Sequence, residues 1–344
     1  MITQAAVLFS INEPLKIIEL EIPKLKKGQV LVEIKYSGAC GTQLGEISGK
    51  RGEDKFLPHC LGHEGVGKVL ELGPEVSKVS IGEKVVLSWI KGSGIDAGGT
   101  VYKSKNLNVN SGPVTTFQRH AVVSENRLTK IPDNISDEYG VMLGCCAPTG
   151  MGSVRNVLSP VTGKSAVIFG GGAVGLSSCL SFKEYGLERI IVIDPVQERL
   201  NLAISAGATD IINTSNGEEI TKRINKLVPN GLDYAIESVG KPEIIPLCMS
   251  LLRRQGGKLV VIGNSPAGST FQLKPDVFNL GKSILGSWGG NTNPDLDFID
   301  YSKTLNNSSN FLKKLISKTY SLENINEALK DLSNGQVGRP LIRM

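Results

Sequence analysis

Histidine is scarce in this chain. Its 344 residues hold three, alongside two tryptophans and six cysteines. Six cysteines scattered over such a length exclude a disulfide scaffold, and the soft ligands suffice for one metal centre while being placed wrongly for a second. Charge of one sign is also missing. The 38 basic and 33 acidic residues leave a net charge of +5, too dilute to advertise a nucleic-acid surface. No window approaches the ~18 uninterrupted apolar residues of a membrane-spanning helix. Charged residues at 21% and apolar residues at 40% exclude a disordered tail, a coiled coil and a collagen-like fibre. The first segment, MITQAAVLFSINEPLK, has no basic n-region and no small-residue cleavage site, and Asn12, Glu13 and Pro14 stop its apolar stretch. No signal peptide is expected. The expectation is a cytoplasmic, reducing setting, with thiols free or metal-bound.

Glycine is what the chain has in excess, at 40 residues or about 12%, against a usual ~7%. Around it run two textures. From Met1 to about Lys130, short alternating or apolar runs are broken by turn residues, as in QVLVEIKYSG (29–38), GVGKVLELG (65–73), GEKVVLSWI (82–90) and HAVVSENRLTKIP (120–132). Such runs read as strands of an antiparallel, barrel-like body. The Gly/Ser/Asn-rich stretch from Lys91 to Gly112 has no clear period and reads as a loop.

From Ser165 onward, buried strands alternate with helices: SAVIFG, VGLSSCLSFKEYG, IIVID, QERLNLAISAG, DIIN, EEITKRINKLV, LDYAIES, PEIIPLCMSLL and GKLVVIG. That order implies an α/β fold with a doubly wound parallel sheet covered by helices on both faces. After about Trp288 a helical tail leads to a short final strand. At ~150 residues per domain the length fits two domains, expected over 1–147 with 289–344 and over 148–288.

The strand SAVIF runs into Gly170-Gly171-Gly172-Ala173-Val174-Gly175, and a helix follows. This satisfies G-x-G-x-x-G. Gly170 permits the tight turn, Gly172 lets the backbone approach a pyrophosphate, and Gly175 lets helix and strand pack closely. The free N–H groups of the helix start then face the phosphates. The second strand ends in Asp194, close to the ~20-residue distance of a ribose-binding acid. A carboxylate there accepts from the ribose hydroxyls and repels a 2′-phosphate, which favours NAD over NADP. Arg199 keeps a phosphate contact open.

Cys40 follows a strand in SGACGTQ, His63 lies in LGHEGVG, and Cys145 lies in LGCCAPTG. Two thiolates and an imidazole suit tetrahedral zinc with its fourth position open. Taken singly, buried cysteines are ordinary small hydrophobes, and spacing alone leaves both readings standing.

The segments CGTQLG, LGHEGVGKVLELG, LGCCAPTGMG, GGGAVG and EYGLERIIVIDPVQERLNLAISAGAT occur in the order found in the zinc-dependent medium-chain alcohol dehydrogenases. The chain resembles that family over nearly its whole length and looks nearest the class III-like bacterial members. The resemblance implies a GroES-like antiparallel β-barrel catalytic domain and a Rossmann domain that binds NAD. It implies Cys40, His63 and Cys145 as ligands of one catalytic zinc, with Glu64 behind the metal and Thr42 as the hydroxyl that takes the alcohol proton. It further implies Thr149 and Val174 against the nicotinamide and Arg339 at the pyrophosphate. Trp89 stands where the family has an aromatic pocket wall. It reads equally as an aromatic closing a barrel strand. The activity implied is NAD-linked interconversion of an alcohol and its aldehyde or ketone, on a small-molecule substrate, by a homodimer or homotetramer.

Three departures from the family pattern stand out. The acidic residue after Cys-Gly-Thr is Gln43, which hydrogen-bonds without charge, and Gly45 replaces the usual terminal histidine of the proton relay. No cysteine lies between Trp89 and His120, so the structural zinc lobe is expected to be absent. Cys146 stands where glycine is common and reads as a spare thiol near the metal or an inert buried one. His59 and Cys60 read as non-ligands at a strand start. The alternatives are a polyol dehydrogenase, a zinc-free NADPH quinone reductase-like enzyme, or a crystallin-like or scaffolding protein with a vestigial site.

Overall fold

The computed structural model describes all residues from Met1 to Met344. They fall into two units: Met1–Cys145 with Asn293–Asn307 and Ile316–Met344, and Cys146–Thr292 with Ser308–Leu315.

The first unit is built on ten strands before it hands over to the second. They are β1 (Ile2–Leu8), β2 (Lys16–Glu21), β3 (Gln29–Gly38), β4 (His59–Cys60), β5 (Glu64–Leu72), β6 (Lys84–Ser88), β7 (Thr100–Ser104), β8 (Leu107–Ser111), β9 (His120–Ser124) and β10 (Leu128–Lys130). Strands β1, β2, β7, β8 and β4 close into a barrel. Strand β3 pairs antiparallel with β5 on one side and β9 on the other. Its alternation explains its central place. Val30, Val32 and Ile34 pack with Val69, Val85, Leu87 and Val123, while Leu31 packs with Leu20, Tyr102 and Val122.

The segment expected to be one loop, Lys91 to Gly112, instead contains the β7–β8 hairpin, in register from Thr100↔Ser111 to Ser104↔Leu107. Only Tyr102 and Val109 of this pair belong to the apolar cluster. The Lys, Asn and Ser residues around them hide the alternation. Burial of those two side chains in a closed barrel overrides the weak local pattern.

The second unit carries β11 (Ser165–Phe169), β12 (Arg189–Ile193), β13 (Asp210–Ile212), β14 (Tyr234–Glu237), β15 (Lys258–Val261) and β16 (Ser283–Gly286). All pairings are parallel, in the order β13-β12-β11-β14-β15-β16. The order reverses at β11, so the crevice at the carboxyl ends of β11 and β14 is the topological switch point where such sheets take ligands. The helix Ala173–Glu184 leaves β11 there and is buried on nearly every side. It carries serines whose hydroxyls are satisfied internally: Ser177 Oγ donates to the Ala173 carbonyl at 2.7 Å and Ser178 Oγ to that of Gly150 at 3.1 Å.

The chain then returns to the first unit through β17 (Thr319–Ser321) and β18 (Leu341–Arg343), and β18 pairs antiparallel with the end of β3. No helix is long and apolar enough to cross a membrane.

Candidate functional site

Three turns of the first unit deliver the soft ligands. Cys40 follows the end of β3 in extended backbone and opens the short helix Gly41–Ile47. His63 lies just before β5 and follows Gly62, whose φ of +87° and close approach to Phe117 admit glycine only. Cys145 follows Gly144, where an added Cβ would meet Glu64 Cβ and the Leu87 carbonyl at 2.6 Å each. The Gly-Cys pair is therefore a packing requirement of the corner that aims Cys145. Ser88 Oγ donates to the Gly144 carbonyl at 2.8 Å and holds that corner to β6.

The Cys40 and Cys145 sulfurs and a His63 ring nitrogen all lie within 4.8 Å of one another. The two cysteines are buried and His63 is half-buried, with Nε2 3.3 Å from Cys145 Sγ. Hydrogen bonding with Cys145 outweighs burial and, with Arg339 and His63 nearby, holds Cys40 well below the ordinary thiol value. Its proximity to Cys40, together with burial, holds Cys145 well above it. Two sulfurs and an imidazole converging from separate segments form a donor set that fits zinc.

Around this cluster, Thr42 Oγ1 is 3.7 Å from Cys40 Sγ. Glu64 is fully buried and Arg339 is 3% exposed, and the two form an ion pair. Burial raises the Glu64 carboxyl above its ordinary value despite the Arg339 charge. Arg339, expected at a pyrophosphate, has Glu64 as an ion-pair partner. The Ala39 N–H bond to the Pro340 carbonyl, at 3.1 Å, ties the two segments together. Gln43 is 1% exposed, takes the Cys40 N–H on Oε1 at 2.9 Å, and places Nε2 2.7 Å from His63 Nδ1. At Gly45 a Cβ would meet only Arg51 Cγ, at 4.0 Å.

His59 stands outside the cluster, bonded to Asp54 Oδ2 at 2.8 Å and to the Cys60 carbonyl at 3.0 Å. Cys60 is buried, and burial pushes its thiol up to about 12. Cys146 is buried in the second unit, in the helix Cys146–Gly152 that also carries Thr149. Trp89 is half-buried and packs on the Val30–Leu128 cluster.

In the second unit Gly170 has a φ of +100°. A Cβ at Gly175 would collide with the Gly170 carbonyl oxygen, whereas one at Gly172 would meet nothing within 4 Å. The three glycines are therefore needed for different reasons: conformation, open space over the turn, and packing. Open space at Gly172, at the start of a helix whose first N–H groups are orphaned, fits a pyrophosphate. Asp194 is 3% exposed and accepts from Gly171 N at 2.9 Å and Val196 N at 2.8 Å. Arg199 NH1 lies 3.5 Å from Asp194 Oδ2. Val174 is half-buried in the first turn of the helix.

Glu125 was not anticipated by the sequence reading. This carboxylate is 1% exposed and accepts from Ser77 N at 2.6 Å, Lys78 N at 2.7 Å and Ile95 N at 2.7 Å. It ties down the cysteine-free segment after Trp89. Its only sequence signal is an acidic residue directly behind the apolar run HAVVS.

Residues 26–133 match the alcohol dehydrogenase GroES-like domain family and residues 173–307 match the zinc-binding dehydrogenase family. The S-(hydroxymethyl)glutathione dehydrogenase of Escherichia coli is 30% identical over 373 residues, covering all of both chains. That of Synechocystis is 29% identical over 369 residues, covering 99% of this chain and 100% of its own. The crystal structure of benzyl alcohol dehydrogenase from Acinetobacter calcoaceticus superposes with a TM-score of 0.89 at 30% identity, covering 100% of this chain and 99% of the other. A zinc-binding alcohol dehydrogenase domain protein from Burkholderia ambifaria gives 0.90 at 29% identity, with the same coverage.

Proposed function

The chain belongs to the zinc-dependent medium-chain alcohol dehydrogenases, and from that membership we propose that it interconverts a primary or secondary alcohol and its aldehyde or ketone by hydride exchange with NAD. The observation that carries this reading is the convergence of Cys40, His63 and Cys145. In this reading the catalytic domain, expected over 1–147 with 289–344, is the first unit, and the cofactor domain, expected over 148–288, is the second, which also takes Ser308–Leu315.

Cys40, His63 and Cys145 would hold one zinc, which would supply Lewis acidity at the substrate oxygen. Thr42, one helical residue beyond Gly41, takes the alcohol proton. With glycine at position 45, that proton leaves through water or the cofactor ribose. Arg339 keeps the buried Glu64 charge-compensated behind the ligands. Gly170, Gly172 and Gly175 shape the pyrophosphate turn, and Asp194 takes the adenosine ribose with Arg199 alongside. Thr149 and Val174 support the nicotinamide. NAD, held there, would supply the hydride acceptor for oxidation of the alcohol.

No second, structural zinc belongs to this reading, because the segment after Trp89 offers Glu125 and backbone N–H groups where a metal lobe would need thiolates. The chain works as a homodimer or homotetramer in the cytoplasm. The retained ligand set argues against a zinc-free quinone reductase.

The test is a panel of aliphatic, aromatic and polyol alcohols with NAD, including benzyl alcohol and S-(hydroxymethyl)glutathione, with metal content measured on the same preparation. One zinc per chain and NADH formation with at least one alcohol are expected. One zinc per chain with no NADH from any alcohol would refute the catalytic reading and favour a vestigial site.

A further inference from the structure

Gln43 faces two of the three soft ligands at once. Its Oε1 accepts the Cys40 N–H at 2.9 Å, and its Nε2 lies 2.7 Å from His63 Nδ1. A side-chain amide nitrogen has hydrogens and no lone pair to offer, so at that distance Nδ1 is the acceptor. The ring proton then belongs on Nε2, where Cys145 Sγ lies 3.3 Å away. Cys40 N–H, the Gln43 amide, the His63 ring and the Cys145 sulfur form one consistent chain of donors and acceptors when no metal is present.

A metal on Nε2 reverses the ring. The ligating nitrogen gives up its lone pair, and the opposite nitrogen must carry the proton and donate it. Nδ1–H would then face the Gln43 N–H at 2.7 Å, donor against donor. Turning the amide over does not help, because its NH2 group would then face the Cys40 N–H. With Gln43 only 1% exposed, the mismatch lies in the interior, where an unmade hydrogen bond is costly. A carboxylate in the same place has two acceptor oxygens and would satisfy both donors.

We propose that Gln43 is the positioning residue that sets how tightly the Cys40–His63–Cys145 site holds its metal, favouring the metal-free hydrogen-bond network and making the bound ion weaker-held and faster-exchanging than a carboxylate would. The inference rests on the zinc reading of that site. Glutamine here acts through His63 and does not touch the reacting atoms.

The test is chelator-competition titration of zinc(II) into wild type, Gln43→Glu and Cys40→Ser, with release rates followed in parallel. Outer-shell partners of ligating histidines typically alter metal affinity by about 10–100-fold, and Gln43→Glu is expected to tighten zinc by that factor and to slow its release. Equal affinity in wild type and Gln43→Glu, with zinc lost from Cys40→Ser, would overturn this inference alone. Zinc retained by Cys40→Ser would overturn the metal-site reading beneath it.

A second measurement needs no variant at position 43. Nitrogen-15 shifts of selectively labelled histidine in the wild-type chain report which ring nitrogen carries the proton. Protonation at Nε2 of His63 without metal, moving to Nδ1 on zinc addition, is expected. Protonation at Nδ1 in the metal-free protein would contradict the proposal.

Discussion

Glu64 and Arg339 place two opposite charges at 0% and 3% exposure beside the candidate ligands. Removing one partner of such a pair leaves the other charge buried alone, which typically costs about 3–5 kcal/mol, whereas removing both costs far less. Arg339→Met should therefore lower the urea midpoint strongly, and Glu64→Gln with Arg339→Met should recover much of the loss. Denaturant unfolding of the two single variants and the double variant checks this, and additive losses would show that the pair is not coupled. This partnership was not legible in the sequence. Cys40, His63 and Cys145 announce themselves through short motifs, each set by a local corner of the backbone. Arg339 meets Glu64 only because β18 pairs with β3, a long-range event with no local trace.

At the scale of single elements, the glycine turn separates folding from binding. Gly172 has an extended backbone, with φ −76° and ψ 175°, which any residue can adopt, and space over its missing Cβ. Gly172→Ala should fold with an unchanged thermal midpoint and lose NADH binding, as read by fluorescence titration. Gly175→Ala should instead lower the midpoint, because its Cβ collides with the Gly170 carbonyl. If both variants bound NADH as wild type does, the turn would not be the phosphate site.

Glu125 makes an element-scale prediction with a pH signature. Burial opposes its charged form, but the N–H groups of Ile95, Lys78 and Ser77 outweigh burial and hold its carboxyl below the ordinary value. A depressed carboxyl contributes stability fully above its unfolded value, ~4.3, and loses it as pH falls through the lower folded value. Glu125→Gln should cost about 1–3 kcal/mol near neutrality. The gap between variant and wild type should narrow at pH 3, as followed by urea midpoints at both pH values. A gap that widens on acidification would contradict the assignment.

Legibility among the elements tracks burial. β3 alternates over ten residues and was evident, whereas β7 and β8 bury one apolar side chain each in their cluster and read as loop. The edge strand β16 is short and only partly buried, which leaves little pattern to read.

The molecule as a whole is two units whose boundary the chain crosses more than once. The change from period-two runs to strand–helix alternation near Ser165 was visible in the sequence, because parallel strands buried on both faces are apolar throughout. The C-terminal tail was harder to apportion. The helix Ser309–Leu315 belongs with the second unit and buries Phe311, Leu312 and Leu315, yet its composition resembles that of the helices around it.

If zinc binds the native state at Cys40, His63 and Cys145, it stabilises the whole chain by mass action. Chelation should then lower the thermal midpoint of wild type and leave that of Cys40→Ser unmoved.

The most direct test of the central claim is alcohol-dependent NADH formation, followed through chelation and zinc re-addition. The account predicts that turnover by wild type stops on chelation and returns with zinc, and that Cys40→Ser never turns over although it binds NADH. Turnover that survives chelation, or persists in Cys40→Ser, would contradict it.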